Sequence, residues 1–187
     1  MSSKAFILCA GLLLTGCGAP TPNRVPVDER FPSVVGESLE GLELRVPEDL
    51  PSGLNLLLIG YEQRAQFDCD RWLLGLAQAE TPVSVRELPT IDGMLPGMFS
   101  GTIDSGMRSG IPVEDWGGVV TVYGEGAEQL VSFTGDEAGG NARVVLLGPD
   151  GVVRWFHDRG YSATKLLELD REVRDFSDSN LDPGGPK

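Results

Sequence analysis

The chain has 187 residues, a formal net charge of -13 and 41% hydrophobic residues. A chain of this length buries one sizeable core and leaves little for a second full domain. So acidic a balance argues against nucleic-acid binding, which needs a basic stripe to neutralise phosphates.

Lys4 and the apolar run from Ala5 to Leu14 have the form of an export signal, with Thr15 and Gly16 as the small residues needed beside a cleavage point. The run is too short to span a bilayer, which takes about 20 apolar residues. Leu14-Thr15-Gly16-Cys17 resembles the lipobox of bacterial lipoproteins. That resemblance implies a diacylglycerol thioether on Cys17, the acylated mature N-terminus, and a membrane-anchored address in the bacterial cell envelope. Several acyl chains hold a soluble domain firmly where one would not. Gly18 leaves the inner and the outer membrane both open. Removal of residues 1–16 takes away Lys4 and leaves one more negative charge, so anionic headgroups repel the domain and the lipid is its attachment.

The signal also decides the cysteine count. Of three cysteines, Cys9 leaves with the signal and Cys17 carries lipid, so Cys69 is the remaining thiol and no internal disulfide is possible.

Residues 17–30, with Pro20, Pro22 and Pro26, read as an extended tether. The domain is expected over 31–176, and 177–187, rich in Asp, Ser, Pro and Gly, as a disordered tail. Within the domain, Leu54 to Ile59 is a continuous apolar run between glycines, the pattern of a central strand buried on both faces. Phe67, Trp72, Leu73, Leu74 and Leu76 predict a helix over 65–78, and Val83 to Leu88 a second strand, completing a parallel β-α-β unit. Residues 89–116 are either an irregular insertion or a broken helix. Val119 to Tyr123 predicts a strand, Ala127 to Phe133 a short helix and Arg143 to Leu147 another strand. Pro149-Asp150-Gly151 turns that strand into an antiparallel hairpin with Val152 to Phe156. Ser162 caps a last helix carrying Leu166, Leu167, Leu169 and Val173.

This element order, with Phe31-Pro32-Ser33, Gly41-Leu42-Glu43-Leu44 and the hairpin from Arg143 to Val153, resembles the peroxiredoxin and thiol-oxidoreductase branch of the thioredoxin fold. The resemblance implies an α/β three-layer architecture, with a mixed sheet of about four to five strands and flanking helices. In redox-active members a Cys-x-x-Cys or one peroxidatic Cys opens the helix after the first central strand, and a cis-Pro precedes the closing hairpin. Here those places hold Tyr61-Glu62-Gln63-Arg64-Ala65-Gln66-Phe67 and Asn141-Ala142. The pattern from Tyr61 to Trp72, with Ile103 to Pro112, is similar to a redox-inert group related to the mitochondrial ATP-synthase assembly chaperone. That likeness implies a fold kept for protein contacts, with an envelope protein as partner and no cofactor beyond the lipid on Cys17.

The candidate site residues follow. Arg64 and Asp68, four apart, make either an ordinary surface ion pair or, with Asp104 and Arg108, a polar patch that docks a partner. Cys69, flanked by Asp68 and Asp70, reads as a small buried hydrophobe; as the nucleophile of a thiol peroxidase or reductase it would need a lowered pKa, which two carboxylates oppose. Copper handling would draw on Cys69, His157, Met94, Met98 and Met107, because thiolate and thioether suit Cu(I), but the paired thiols of a copper chaperone are absent. Met94, Leu95, Met98 and Phe99 either cover the core or form an adaptable binding face. One histidine supports no Ser-His-Asp set, and no phosphate-cradling glycine motif follows a strand.

Overall fold

The computed structural model describes residues 19–91 and 106–181. Seven strands form one mixed sheet: β1 Val34–Ser38, β2 Glu43–Val46, β3 Asn55–Gly60, β4 Ser84–Ile91, β5 Val120–Tyr123, β6 Arg143–Leu147 and β7 Val153–His157, in the order β2-β1-β5-β4-β3-β6-β7. The expected four or five strands are thus too few. The added pair, β1 and β2, is an antiparallel hairpin with Gly36 opposite Leu44, and β1 then joins β5. Its weak apolar alternation hides it: β2 buries Val46 alone, because as an edge strand it has one neighbour and a wet face.

The central unit matches expectation. β3 runs parallel to β4, with Leu58 opposite Glu87, and α1, Gln66–Ala79, connects them. Residues 106–110 are helical and are labelled α2, and a 3-10 segment follows over Val113–Gly118. The stretch 89–116, expected as an irregular insertion or a broken helix, opens with the end of β4 at Ile91 and closes with α2 and this 3-10 segment; Met94, Leu95, Met98, Phe99 and Asp104 lie outside the described residues. Helix α3, Gly124–Thr134, leads towards the antiparallel β6–β7 hairpin, and α4, Ala163–Leu181, closes the chain. Ser162 does precede α4, its carbonyl accepting from the Leu166 amide at 2.9 Å.

Strand periodicity divides the core into two layers. Leu57 and Ile59 of β3 join Phe31, Leu88, Leu130, Phe133 and Val145 on the α3 side. Leu56 and Leu58 join Cys69, Trp72, Leu76, Leu166, Leu169 and Val173 on the side of α1 and α4. All four β3 side chains are fully buried, which is why this strand reads as a continuous apolar run.

Within the extended tether expected over 17–30, residues 21–30 are hydrogen-bonded to the domain. The Thr21 and Asp136 backbones pair, the Arg24 amide donates to the Thr134 carbonyl at 3.1 Å, and Asp28 and Glu29 exchange bonds with Val153. The prolines that exclude helix also leave these backbone groups free to find distant partners. At the other end α4 continues through 177–181, into the expected tail. Among the described residues no helix is long and apolar enough to cross a membrane.

Candidate functional site at the amino terminus of helix α1

Three connections converge beyond the carboxyl end of β3: Tyr61 to Ala65 leading into α1, the loop 135–142 leading into β6, and the loop 158–162 between β7 and α4. At their centre is Asp68, in the first turn of α1 and 6% exposed. Its Oδ2 accepts from the Ala142 amide at 2.9 Å and its Oδ1 from the Tyr161 amide at 2.7 Å. Two charge-assisted bonds to fixed backbone donors satisfy the buried carboxylate and tie all three connections together.

The expected Arg64–Asp68 pair is therefore not made. Arg64 lies on the surface and pairs with Glu62, two residues back. Both side chains rest on Gly139 and Gly140: a Cβ on Gly140 would stand 2.5 Å from Arg64 Nε, and one on Gly139 would collide with the Glu62 carboxylate. Asp68 turns inward because α1 presents that position to the sheet, while Arg64 sits in the preceding 3-10 turn, Gln63–Ala65, whose different rotation points it out. Arg108 does not join them. Its Nε donates to the Leu39 carbonyl at 2.7 Å and its guanidinium covers the Trp116 ring at 5.6 Å, beside β1. Asp104 and Cys17 lie outside the described residues. The described arrangement is a local Glu62–Arg64 pair over a diglycine bed, with Asp68 buried beneath it.

Arg143, a residue that sequence reasoning assigned no role, holds the adjoining loop. Its fully buried guanidinium donates to the carbonyls of Gly135, Ala138 and Asn141 at 3.1, 2.7 and 3.0 Å, and to Asn23 Oδ1 at 2.8 Å. Its face covers the Tyr61 ring at 5.2 Å, and Tyr61 shares a hydrogen bond with Thr134 at 2.7 Å. Burial pulls the Arg143 pKa down and pushes that of Tyr61 up. Asn23 and Arg143 are 120 residues apart, beyond any local pattern.

Cys69 points away from this surface into the core against Trp72 and Leu58, 4% exposed. Burial pushes its thiol pKa far up, with Glu87, Asp68 and Asp70 adding to the effect. A thiolate nucleophile or soft metal ligand is disfavoured at such a position. His157 packs against Trp72 and Trp155 and engages the Gly160 carbonyl through Nε2 at 2.9 Å. Among the described residues no group of three or more His, Cys, Asp and Glu side chains is arranged to hold a metal ion. Of the candidate methionines Met107 alone is described, half-buried on α2.

No protein-family model matches the chain, and no curated protein matches its sequence. Solved structures do. Yeast Sco1 with copper bound superposes with a TM-score of 0.56 at 12% identity, covering 82% of this chain and 96% of that one. A SCO1/SenC family lipoprotein from Bacillus anthracis gives 0.52 at 11% identity, covering 83% and 99%. The exposed lipoprotein thioredoxin Etrx1 of Streptococcus pneumoniae gives 0.51 at 10% identity, covering 76% and 100%. The chain has the thioredoxin-like fold; at these identities the likeness speaks for architecture.

Proposed function

We propose that this protein is a lipid-anchored, non-catalytic thioredoxin-like binding or assembly factor of the bacterial envelope, attached to its membrane through Cys17. The observation that carries the reading is the replacement of thiol chemistry at the amino end of α1. Glu62 and Arg64 occupy the approach to the helix, and Asp68 is wired to the Ala142 and Tyr161 amides. Ala142 stands where redox-active relatives place proline, and its N–H, which proline lacks, is one of the two donors to Asp68. The arrangement offers a polar surface, and Cys69, the thiol among the described residues, is buried beneath it. The likeness to the ATP-synthase assembly chaperone group supports assembly work as the mode of action and names no particular complex.

Crosslinking in intact cells followed by identification of the attached proteins tests the reading. A specific envelope partner, lost on Glu62→Ala with Arg64→Ala, is expected; thiol-dependent turnover by the purified protein would overturn it.

Copper handling is the second reading, supported by the likeness to Sco1 structures, one of them with copper bound. It would need Met107 and His157 together with Met94 or Met98. Cu(I) titration of Met107→Leu and His157→Ala variants is the test, and unchanged stoichiometry rejects it. A thiol enzyme using Cys69 is the weakest alternative, given its buried, raised thiol.

A further inference from the structure

Building on the lipid-anchor reading, we infer that the strap over residues 21–30 turns the α1 amino-terminal end of the domain towards the bilayer, so that its Glu62–Arg64 surface meets the extracytoplasmic part of an integral membrane protein. The strap begins at this end. Thr21 N–H donates to Asp136 Oδ1 at 2.5 Å, Asn23 N–H to Glu137 at 3.1 Å and Asn23 Nδ2 to Asp158 at 2.9 Å. It then descends to the opposite end, where the Asp28 amide meets the Val153 carbonyl at 2.9 Å and Arg30 bridges to Val152. The chain direction therefore delivers position 20, and the acylated position before it, to the end that carries Asp68, the loop 135–142 and the diglycine bed.

Distance does the rest. From Cys17 to Thr21 is four residues, which reach about 14 Å at full extension. A folded domain of 100 residues has a radius of gyration of about 13 Å and hence a diameter near twice that, too large to enter such a gap. A loop or juxtamembrane segment of a membrane-embedded protein is thin enough. The surface itself is not a lipid-binding one, because Glu62, Asp136, Glu137 and Asp158 outnumber Arg64 and Arg159 there, and anionic headgroups repel that excess.

The test uses the full-length acylated protein in vesicles of phosphatidylethanolamine and phosphatidylglycerol carrying a headgroup energy acceptor. One fluorophore is placed by Arg159→Cys, a side chain 88% exposed at the proposed membrane end, and another by Ser52→Cys at the far end of β3. Buried Cys69 escapes labelling. The six residues of β3 put the two ends about 20 Å apart, so about twofold stronger transfer from position 159 is expected. A long Gly-Ser insertion between Gly18 and Ala19 should abolish the difference. Equal transfer with the native tether overturns the inference. Mass spectrometry of the protein before labelling separates the two levels: an unacylated Cys17 defeats the lipoprotein reading itself. Photo-crosslinking from position 159 in cells should capture extracytoplasmic loops of membrane proteins, and capture confined to soluble proteins overturns the assigned partner class.

Discussion

Asp68 Oδ2 and the Ala142 amide nitrogen are 2.9 Å apart, a bond that joins the first turn of α1 to the start of β6. With the Tyr161 amide on the other oxygen at 2.7 Å, one carboxylate joins α1 to both neighbouring loops. Asp68→Ala leaves two buried N–H groups without acceptors, each costing about 1–3 kcal/mol, so a loss of about 3 kcal/mol is expected in urea unfolding with unchanged m-value. Asp68→Asn should cost less, because its carbonyl oxygen still accepts one bond. Ala142→Pro should resemble Asp68→Ala, since it deletes the donor.

Removing Arg143 should unfasten the strap. Arg143→Met takes the donor from three loop carbonyls and from Asn23, and a loss of about 3 kcal/mol is expected, with Arg143→Lys a poor rescue because it lacks the planar fork. Hydrogen exchange at the amides of Thr21 and Arg24 should rise in both. Gly135→Ala should free the strap by another route: its φ of 74° disfavours a side chain, and the added Cβ would stand 2.5 Å from Asn23 Cα.

Cys69 should make the fold alkali-sensitive. Its folded pKa is raised, by burial first and by the Glu87 charge next. The unfolded thiol ionises from about pH 8.5 while the native one stays protonated, so this contribution is complete below that pH and is lost as pH rises through it. Stability measured between pH 7 and 10 should fall, and Cys69→Ala should flatten the fall. An aromatic disulfide reagent should leave the native thiol untouched and titrate it in denaturant.

Glu87 should do the opposite of a stabilising surface carboxylate. Burial raises its pKa, Asp70 and Asp115 add to that, and the Gln66 amide at 3.1 Å only partly offsets it. The native state therefore holds its proton more tightly than the unfolded chain, and stability falls as pH rises from the unfolded carboxyl range through the folded value. Glu87→Gln should be more stable than the parent at pH 7 and indistinguishable from it at pH 4, by thermal unfolding at both pH values.

Where the fold was legible in sequence, burial on both faces made it so. The runs Leu54 to Ile59 and Arg143 to Leu147 predict the central strands β3, Asn55–Gly60, and β6, Arg143–Leu147, to within a residue. β1 and β2 escaped because an edge hairpin needs few buried side chains, and Gly36 and Glu37 look like loop. At the site, the absence of thiols was readable from Tyr61 to Phe67, whereas the partners of Asp68 were not. An i,i+4 spacing predicts a salt bridge only while both residues share one helix, and a 3-10 turn before α1 removes Arg64 from it. The Gly139-Gly140 pair was the visible sign that something lies close over that loop.

The buried carboxylate of Asp68 also bears on whether thiol chemistry could be introduced at this end of the fold. A cysteine pair grafted into positions 62–66 would find a fixed negative charge in the first helical turn, which raises a thiol pKa where an oxidoreductase needs it lowered. Removing that charge to help the thiols would leave the Ala142 and Tyr161 amides unpaired and loosen the scaffold the thiols require. Either single change is penalised, in reactivity or in folding, so this scaffold resists the introduction of thiol chemistry at the amino end of α1.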